Sequence, residues 1–507
     1  MVNNFRNSIV SWLVKKRYHQ IELFMKYPHN VQFDWFNYLL TSAKNTEWGK
    51  RYKFEEIKTY AEFKKRVPVQ DYDSLKGDIE RTMKGEQNIL WPGEIKWFAK
   101  SSGTTADKSK FIPVSKESLE DCHYKAGKDL ISIYYNYQPE SKIFTGRGLV
   151  LGGSSEVNEV GEDSYSGDLS AVIIKNLPFW AEYQRTPSIE VALMPEWEEK
   201  LEKMARISAD QDITSITGVP SWTLVLLKRV MELKGKDYIT DVWPNLELYA
   251  HGGVSFQPYL KQYQEIMGKP ITFLENYNAS EGFLGIQDLF GEEENGLLLM
   301  LDYGIFYEFM PLEELGKDHP KTLQLDEVQL NTNYAILIST NGGLWRYMIG
   351  DTIAFTSLSP YRIRVTGRTK HYINVFGEEL IIDNAENAVE IACNKTGAVV
   401  SDYTAGPRYM EGEEKGAHEW LIEFERPPED LSFFAETLDN ALKSINSDYE
   451  AKRYKNFVLE PLTLQQLEKG TFYRWMKHRG KLGGQNKVPR LSNNRKYIDS
   501  ILDFISS

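Results

Sequence analysis

The sequence has few cysteines and few histidines for its length. Its 507 residues contain two cysteines, Cys122 and Cys393, and eight histidines. Two cysteines cannot build a disulfide framework and fit a reducing compartment, so we expect a cytoplasmic protein. The scattered histidines show no zinc-ligand spacing. The composition therefore argues against disulfide-stabilised secreted domains and structural zinc modules.

Long apolar runs and a net positive charge are also missing. No stretch reaches the ~18 apolar residues that a transmembrane helix needs, and the apolar run at residues 9–14 ends in basic residues without a signal-peptide cleavage site. Amphipathic residues 5–25 could lie on a membrane, although packing on the protein's own core is the commoner role. The net charge of −12 gives no attraction to nucleic acid or anionic membranes. We expect no nucleic-acid partner and no stable membrane insertion.

What is present is the composition of a folded protein with several domains. Hydrophobic residues make up 41% of the chain, charged residues 26% and aromatic residues 13%, which argues against disorder. A chain of 507 residues is too long for one core, so two or three domains are expected.

A hydroxyl-rich stretch lies between a predicted strand at residues 95–99 and a predicted helix that starts near residue 116. Backbone N–H groups and hydroxyls in such a turn can hold an anion, and a polyphosphate fits best. Lys110 could add positive charge. The spacing is not that of a Walker A loop, and an ordinary polar surface loop is the alternative. The hydroxyl residues that surround Gly103 are Ser101, Ser102, Thr104 and Thr105.

The middle of the chain alternates strands and helices. Strands are predicted near residues 148–153, 212–216, 246–250 and 271–274, with helices at 221–233 and 257–267, while 153–168 is predicted as a loop. This order is typical of right-handed βαβ units in a parallel sheet, which bind ligands at the carboxyl ends of their strands. The predicted exit loops are 218–220, 252–253 and 276–282, so Val219, Gly252, Gly253 and Val254 should border a substrate pocket.

The last two fifths of the chain read differently. Short strands over residues 297–366 indicate an antiparallel or mixed sheet, and a smaller α+β unit follows. We place the domain boundary there, with residues 1–368 as the N-terminal domain and 369–507 as the C-terminal domain. Between residues 471 and 497 there are eight Lys or Arg and no acidic residue. This basic segment could face a polyanion or could be a solvated tail.

Five motifs in order make the sequence resemble the Gretchen Hagen family of acyl acid–amido synthetases, within the superfamily of adenylate-forming enzymes. The sequence differs from the family pattern at two places. Asp107 stands where the family usually has glycine, and Asn278-Ala279 replaces small or hydroxyl residues ahead of the Ser-Glu pair. The motifs are Ser101-Ser102-Gly103-Thr104-Thr105 with Lys110, Tyr277 to Gly282, Tyr347-Met348-Ile349-Gly350-Asp351, Gly367-Arg368-x-Lys370, and Lys487-Val488-Pro489-Arg490.

The resemblance implies an α/β fold with a large N-terminal adenylate-forming domain, mostly parallel sheets with a β-subdomain, and a small mobile α+β C-terminal domain. It implies an ATP-dependent ligase that uses Mg²⁺. A small aryl, indolyl or aliphatic carboxylic acid is adenylated with release of pyrophosphate. An amino acid amine then takes the acyl group and AMP leaves. A CoA ligase of the same superfamily and a non-catalytic nucleotide-binding protein are the alternatives.

The resemblance also implies roles for individual residues. Glu281 is expected to bind Mg²⁺, because a hard cation prefers carboxylate and phosphate oxygens. Lys487 is expected to stabilise charge on the α-phosphate, so Glu281 and Lys487 are the predicted catalytic residues. His251 could be a general base, although a lone histidine at a strand end is more often structural. The predicted nucleotide-binding residues are Ser101, Ser102, Thr104, Thr105, Tyr277, Ser280, Asp351 and Arg368.

Overall fold

The structure is a computed structural model, and its described residues fall into two compact units. The first unit lies within Met1–Ser101, Lys110–Gly253 and Gln264–Thr369, and the second within Ser102–Ser109, Val254–Tyr263 and Lys370–Ser507. The domain boundary after residue 368 stays a prediction. The described residues are 16–102, 109–152, 157–161, 163–177, 184–194, 196–253, 256–291, 296–369, 372–378, 380–410, 415–454, 458–479 and 488–506.

An eleven-stranded mixed sheet is the framework of the first unit. Its strands are β3 (Arg147–Leu151), β6 (Arg185–Thr186), β7 (Ile213–Gly218), β8 (Leu248–Gly252), β9 (Thr272–Ala279), β10 (Gly282–Ile286), β11 (Leu297–Leu299), β12 (Ile305–Pro311), β13 (Asn333–Thr340), β14 (Tyr347–Leu358) and β15 (Tyr361–Arg368). Their order in the sheet is β12-β13-β14-β15-β11-β10-β9-β8-β7-β3-β6.

The parallel part of this sheet contains the predicted βαβ units. Strands β6, β3, β7, β8 and β9 run parallel to their neighbours. Helix Pro220–Lys234 connects β7 to β8, with Pro220 in its first turn and Gly235 in a left-handed conformation after its last residue. Helix Gln257–Met267 connects β8 to β9. Both predicted helices are confirmed.

The remaining strands of the sheet are antiparallel. From β9 to β12 every neighbouring pair runs in opposite directions. The predicted parallel and antiparallel strands are therefore two parts of one sheet. The α/β class of the fold is confirmed, with the addition that the sheet is mixed.

A second sheet in the first unit corrects one prediction. Its order is β2-β1-β5-β4, with β1 at Trp97–Ser102, β2 at Ser109–Val114, β4 at Asn158–Gly161 and β5 at Ser164–Gly167. The prediction of a loop over 153–168 is wrong for β4 and β5. Their Gly- and Ser-rich sequence lacks the alternation of an isolated strand. They are strands because β5 pairs with β1 and β4 pairs with β5.

Helices at the start of the first unit pack on the large sheet. Helix Tyr60–Arg66 begins with a capping box, in which Thr59 and Glu62 exchange side-chain and backbone hydrogen bonds. Phe36 lies with its ring centroid 4.9 Å from that of Phe306 on β12. Burying a side chain of this size stabilises a fold by roughly 1.5–3 kcal/mol. The helices of this region are 16–26, Pro28–Ala43, Glu47–Arg51, Tyr60–Arg66 and Tyr72–Met83.

The helix after β2 contains an irregular turn. Residues 118–123 are π-helical, and the backbone N–H of Tyr124 donates to the carbonyl of Leu119, five residues earlier. An α-helix then continues from Tyr124 to Tyr137. The predicted helix over about 116–135 is confirmed. Other helices of the first unit are Leu169–Lys175, Ile189–Ala192, Trp197–Ala209 and Ile239–Val242.

The later part of the second unit is α+β, as predicted. Strands β18 (Val399–Arg408) and β19 (Ala417–Arg426) pair antiparallel, and β20 (Thr463–Leu467) adds parallel to β19. The short strands β16 (Tyr372–Ile373) and β17 (Leu380–Ile381) form a separate pair. Its helices are Ile382–Thr396, Leu431–Ile445, Ser447–Arg453, Thr471–His478 and Lys496–Ser506. Within the described residues of both units, no helix combines the length and apolar character needed to cross a bilayer.

Candidate active site

The carboxyl ends of β7, β8 and β9 lie side by side at one edge of the parallel sheet. Gly218 of β7 pairs with His251 of β8, and Gly252 of β8 pairs with Asn276 of β9. The predicted exit residues 218–220 and 252–253 are therefore brought to the same edge. A Cβ atom placed on Gly253 would lie 3.6 Å from Cγ2 of Val219, which shows how near these two predicted pocket residues are. Val254 lies outside the described residues.

Gly252 allows two strand ends to approach closely. A Cβ atom at this position would lie 2.4 Å from the carbonyl oxygen of Asn276 and 2.7 Å from its Oδ1. Asn276 fixes the same junction, because its Nδ2 donates to the carbonyl of His251 at 2.8 Å. Glycine is required here by the space between β8 and β9.

The segment predicted as the third exit loop is mostly strand. Residues 276–279 belong to β9, which continues through a two-residue turn at Ser280 and Glu281 into β10, where Gly282 pairs with Ala279. The loop prediction for 276–282 is therefore wrong. The polar sequence is typical of a loop, but the segment forms a β-hairpin. Its turn places Ser280 and Glu281 beyond the end of the neighbouring strand β8.

Tyr277, Asp351 and Arg368 form one group that is joined by a hydrogen bond and an ion pair. The hydroxyl of Tyr277 donates to Oδ2 of Asp351 at 2.5 Å, and Nε of Arg368 lies 2.6 Å from Oδ1 of the same carboxylate. Burial and the negative charge of Asp351 raise the pKa of the Tyr277 hydroxyl well above its usual value. Tyr277 therefore stays protonated and acts as a donor.

A bulge in β14 brings Asp351 to this position. Between the pairs Ala335–Thr352 and Leu337–Met348, strand β14 has two more residues than β13. Gly350 lies in the bulge with φ of +100°, a conformation that favours glycine. On its other side, Asp351 pairs with Arg368 of β15. The Gly-Asp motif therefore turns a strand so that its carboxylate meets both Arg368 and Tyr277.

Glu281 is a partly buried carboxylate near positive charge. Burial raises the pKa of Glu281 above its usual value, and the positive charges of Lys110 and Arg368 act against this shift. Lys110 is itself buried on β2, directly after the hydroxyl-rich stretch. Among the described residues, no lysine, arginine or histidine nitrogen forms an ion pair with Glu281, so this carboxylate has acceptor capacity for a cation.

Three models of known protein families match this sequence. The sequence matches the models of the GH3 family N-terminal domain over residues 17–271, the central domain over 298–368 and the C-terminal domain over 383–496. The chain belongs to the GH3 family. This confirms the predicted membership of the Gretchen Hagen family.

Curated GH3 relatives cover nearly the whole chain. The indole-3-acetic acid-amido synthetase GH3.3 of Arabidopsis thaliana is 24% identical over 526 residues, covering 89% of this chain and 87% of the relative. The jasmonoyl–L-amino acid synthetase GH3.5 of Oryza sativa subsp. japonica is 22% identical over 571 residues, covering 94% of each chain. Both names describe amide-forming ligases, the enzyme class that the sequence predicts.

A solved structure supports the fold. The AtGH3.15 acyl acid amido synthetase in complex with 2,4-DB has a TM-score of 0.64 at 16% identity, covering 97% of this chain and 96% of that chain. At this identity the likeness shows the fold, which agrees with the predicted fold class.

The donor set of this GH3 chain fits ATP and Mg²⁺. Glu281 offers a carboxylate that no basic side chain neutralises by an ion pair among the described residues, and Mg²⁺ is commonly bound by one or two carboxylates together with substrate phosphates. Within the same described part of the chain, no group of three or more His, Cys, Asp or Glu could hold a metal alone. The residues therefore suit a metal that arrives with a nucleotide.

Several predicted site residues of the GH3 chain stay predictions. Ser101 lies near the end of β1 and is partly buried. Thr104, Thr105 and Lys487 lie outside the described residues, as does the side chain of Ser102. Their proposed contacts with phosphate are therefore not tested by the structure.

His251 is a poor candidate for a general base. It is 3% exposed, and burial lowers its pKa to about 3. An imidazole with so low a pKa is neutral at pH 7 but takes up a proton weakly. The structural alternative raised from the sequence is the better interpretation of this residue.

Sequence reasoning missed residues that reach the Glu281 turn from distant segments. Thr340 and His123 line a small cavity beside Ser280 and Glu281. Tyr72 supports the strand that carries Lys110, because its hydroxyl accepts from the backbone N–H of Phe111 at 3.0 Å. No sequence motif marks Tyr72, His123 or Thr340. In the structure, the segment that contains His123 is distinguished by its π-helical turn at residues 118–123.

Proposed function

We propose that this protein is an ATP-dependent acyl acid–amido synthetase that acts through an acyl adenylate. The observation that carries the proposal is the group of Tyr277, Asp351 and Arg368 near Glu281 and Lys110. In this proposal the carboxylate of Asp351 accepts hydrogen bonds from a nucleoside, and the nearby carboxylate of Glu281 binds the cation that accompanies its polyphosphate. The amido synthetase names of the GH3 relatives support the choice of reaction.

Asp351 binds the ribose of ATP in this proposal. A carboxylate has about four acceptor positions. Tyr277 and Arg368 engage one position on each oxygen, so two remain for the two ribose hydroxyls. The ion pair with Arg368 fixes the direction of the Asp351 carboxylate, which favours charge-assisted hydrogen bonds. The ring of Tyr277 is available to pack against adenine.

The hydroxyl-rich segment holds the phosphates. Ser101, Ser102, Thr104 and Thr105 donate to the β- and γ-phosphates, Ser280 adds a further hydroxyl donor to the nucleotide, and Lys110 contributes positive charge. Glu281 holds Mg²⁺, which neutralises phosphate charge when it is bound. Phosphoryl and nucleotidyl transfer need positioning and charge neutralisation more than covalent help from the protein. These side chains supply both.

The reaction has two halves. The carboxylate of the acid attacks the α-phosphorus of ATP, the bond to the bridging oxygen breaks, and pyrophosphate leaves. The amine of an amino acid then attacks the acyl carbonyl, loses a proton and displaces AMP, giving an amide. Lys487 stabilises charge on the α-phosphate in the first half. The smaller C-terminal domain, from residue 369, moves about Arg368–Lys370 between the halves.

The acid binds at the carboxyl edge of the parallel sheet. Val219, Gly252, Gly253 and Val254 border its pocket, and small residues at the strand ends leave room for a ring or a short chain. The proposed substrates are an aryl, indolyl or aliphatic acid and an amino acid. The small number of cysteines favours a cytoplasmic location, and the net charge of −12 argues against nucleic-acid partners.

ATP–pyrophosphate exchange tests the first half-reaction. The purified protein is incubated with ATP, Mg²⁺, labelled pyrophosphate and one acid at a time from an aryl, indolyl and aliphatic panel, without an amine. Exchange with one acid class supports adenylation and identifies that class. Glu281→Gln serves as the inactive control. No exchange with any acid, despite measurable ATP binding, would favour a non-catalytic nucleotide-binding protein.

The acceptor is then tested with the active acid. Parallel reactions receive the twenty amino acids or CoA, and mass spectrometry identifies the product. An amide product supports the amido synthetase. A thioester with CoA and no amide would contradict it and favour the CoA ligase.

A further inference from the structure

A small cavity lies beside the turn that carries Glu281. It is lined on one side by Ser280 and Glu281, and on others by Val114, His123 and Thr340. It leaves about 10 Å³ for the centre of a water molecule, which is about the space that one ordered water needs. The lining is polar enough for such a water, because residues with hydroxyl and imidazole groups contribute to it.

His123 lines this cavity and has a nitrogen without a partner in the described part of the chain. The residue is 7% exposed, and its Nδ1 is buried without a hydrogen-bond partner among the described residues. Buried polar atoms in native proteins are nearly always paired with protein or ordered water. Leaving a buried nitrogen unpaired is unfavourable, because it has lost its hydrogen bonds to water. A water in the cavity would remove this cost.

Other groups can complete the hydrogen bonds of the water. Thr340 Oγ accepts from the backbone N–H of Gly342 at 3.2 Å, which leaves its O–H available to donate. Ser118 Oγ donates to the carbonyl of Ser115 at 2.9 Å, which leaves its lone pairs available. With His123 and the Ser280–Glu281 turn, the water has the two to four polar partners that buried waters usually have.

The segment that carries His123 is tied to the Glu281 hairpin. His123 ends the π-helical turn at residues 118–123, and such turns occur frequently at functional sites. The neighbouring residue Cys122 accepts a hydrogen bond at its Sγ from the backbone N–H of Phe283, two residues after Glu281. This hydrogen bond fixes the position of the helix relative to the hairpin.

We propose that His123 is a positioning residue for Glu281, acting through one water molecule that links its Nδ1 to the Ser280–Glu281 turn. The linked turn holds the carboxylate of Glu281 in the direction in which it binds the metal of the nucleotide complex. This inference rests on the proposed function, because it assigns to Glu281 the role of metal ligand. Residues that orient metal ligands in this way affect affinity or activity by roughly 10- to 100-fold.

The experiment compares three variants of the full chain. His123→Ala removes both nitrogens, His123→Asn keeps a polar atom near the position of Nδ1, and Val114→Ala enlarges the same cavity without removing a polar group. Thermal unfolding shows whether each variant is folded. Mn²⁺ replaces Mg²⁺ as the probe, and electron paramagnetic resonance measures free Mn²⁺ in the presence of ATP without any acid. No turnover is involved in this readout.

We expect His123→Ala to raise the Mn²⁺ concentration at half saturation roughly 10-fold or more, while metal-free ATP binding by calorimetry is unchanged. His123→Asn should recover most of the affinity, and Val114→Ala should match the wild type. The Mg²⁺ concentration needed for half-maximal pyrophosphate exchange, measured at saturating acid, should rank the variants in the same order. A crystal structure of the wild type should contain a water between His123 and the Ser280–Glu281 turn.

Two results would overturn the inference. Equal shifts for His123→Ala and Val114→Ala would show a packing effect, and a folded His123→Asn as weak as His123→Ala would exclude the polar link. These results differ from a failure of the proposed function. If the wild type exchanges pyrophosphate and only His123→Ala is without effect, the positioning role alone falls. If the wild type neither binds Mn²⁺ with ATP nor exchanges, both fall.

Discussion

The hydroxyl of Tyr277 donates a 2.5 Å hydrogen bond to Oδ2 of Asp351, a residue 74 positions later in the chain. Tyr277 lies on β9 and Asp351 in the bulge of β14, so two strands of one sheet that are not neighbours supply the two sides of this contact. Arg368 holds the other oxygen of Asp351. These two contacts fix the direction of the Asp351 carboxylate before any nucleotide binds.

Asp351→Asn should weaken ATP binding. The amide keeps the shape but loses the charge that Arg368 pairs with and one acceptor oxygen, and hydrogen bonds to charged groups contribute about 1.5–3 kcal/mol. We expect the dissociation constant of ATP, measured by calorimetry, to rise roughly 10-fold or more. Tyr277→Phe is the matched control, because it removes one hydroxyl and leaves the ion pair with Arg368. An equal loss in both variants would argue that Asp351 has no direct contact with ATP.

Glu281→Gln should abolish catalysis without weakening the fold. Loss of an electrostatic group that acts on the transferring phosphate typically lowers the rate by roughly 100-fold or more, which pyrophosphate exchange would measure. Because burial raises the pKa of Glu281, its ionised form is disfavoured in the folded state at neutral pH. The variant should therefore melt at the same or a higher temperature. A lower melting temperature would point to a structural carboxylate.

The stability of the protein should fall in mild acid because of His251. Burial lowers the pKa of His251 from 6.5 to about 3, so the unfolded chain takes up the proton first. The contribution is fully present above pH 6.5 and is lost as pH falls toward 3, amounting to about 3 kcal/mol between pH 6.5 and pH 4. Urea unfolding at several pH values would measure it. His251→Gln should show a shallower pH dependence, and an unchanged slope would contradict the shift.

Gly252→Ala should separate β8 from β9. The new Cβ atom would lie 2.4 Å from the backbone oxygen of Asn276, so the strand ends must move. We expect a loss of about 1–3 kcal/mol in the free energy of unfolding. In pyrophosphate exchange, we expect a higher concentration of the carboxylic acid substrate to be needed for half-maximal rate.

Gly77→Ala is the matched control for that substitution. Gly77 lies in helix Tyr72–Met83, and a Cβ atom there would meet nothing within 4 Å. The change should stabilise the protein by about 0.5–1 kcal/mol, because alanine favours helix more than glycine does. If both glycine variants behaved alike, close approach at Gly252 would not be the reason for its glycine.

The sequence alone determined features that depend on neighbouring residues. The capping box at Thr59 and Glu62, the helix from Pro220 to Lys234 and the strands β7 and β8 follow from local periodicity and capping. The order of the five motifs determined the family. These signals are local, because hydrogen bonds and side-chain spacing within about ten residues produce them.

The tertiary structure decided what depends on partners far away in the chain. Strands β4 and β5 form because β1 offers a pairing edge, and the hairpin at Ser280–Glu281 joins the large sheet because β10 pairs with β11 on its other side. Packing also decided that Tyr277 meets Asp351 and that His123 lies beside Glu281. Such contacts have no sequence signature, since the free energy that favours them comes from burial and hydrogen bonds between segments that only the folded chain brings together.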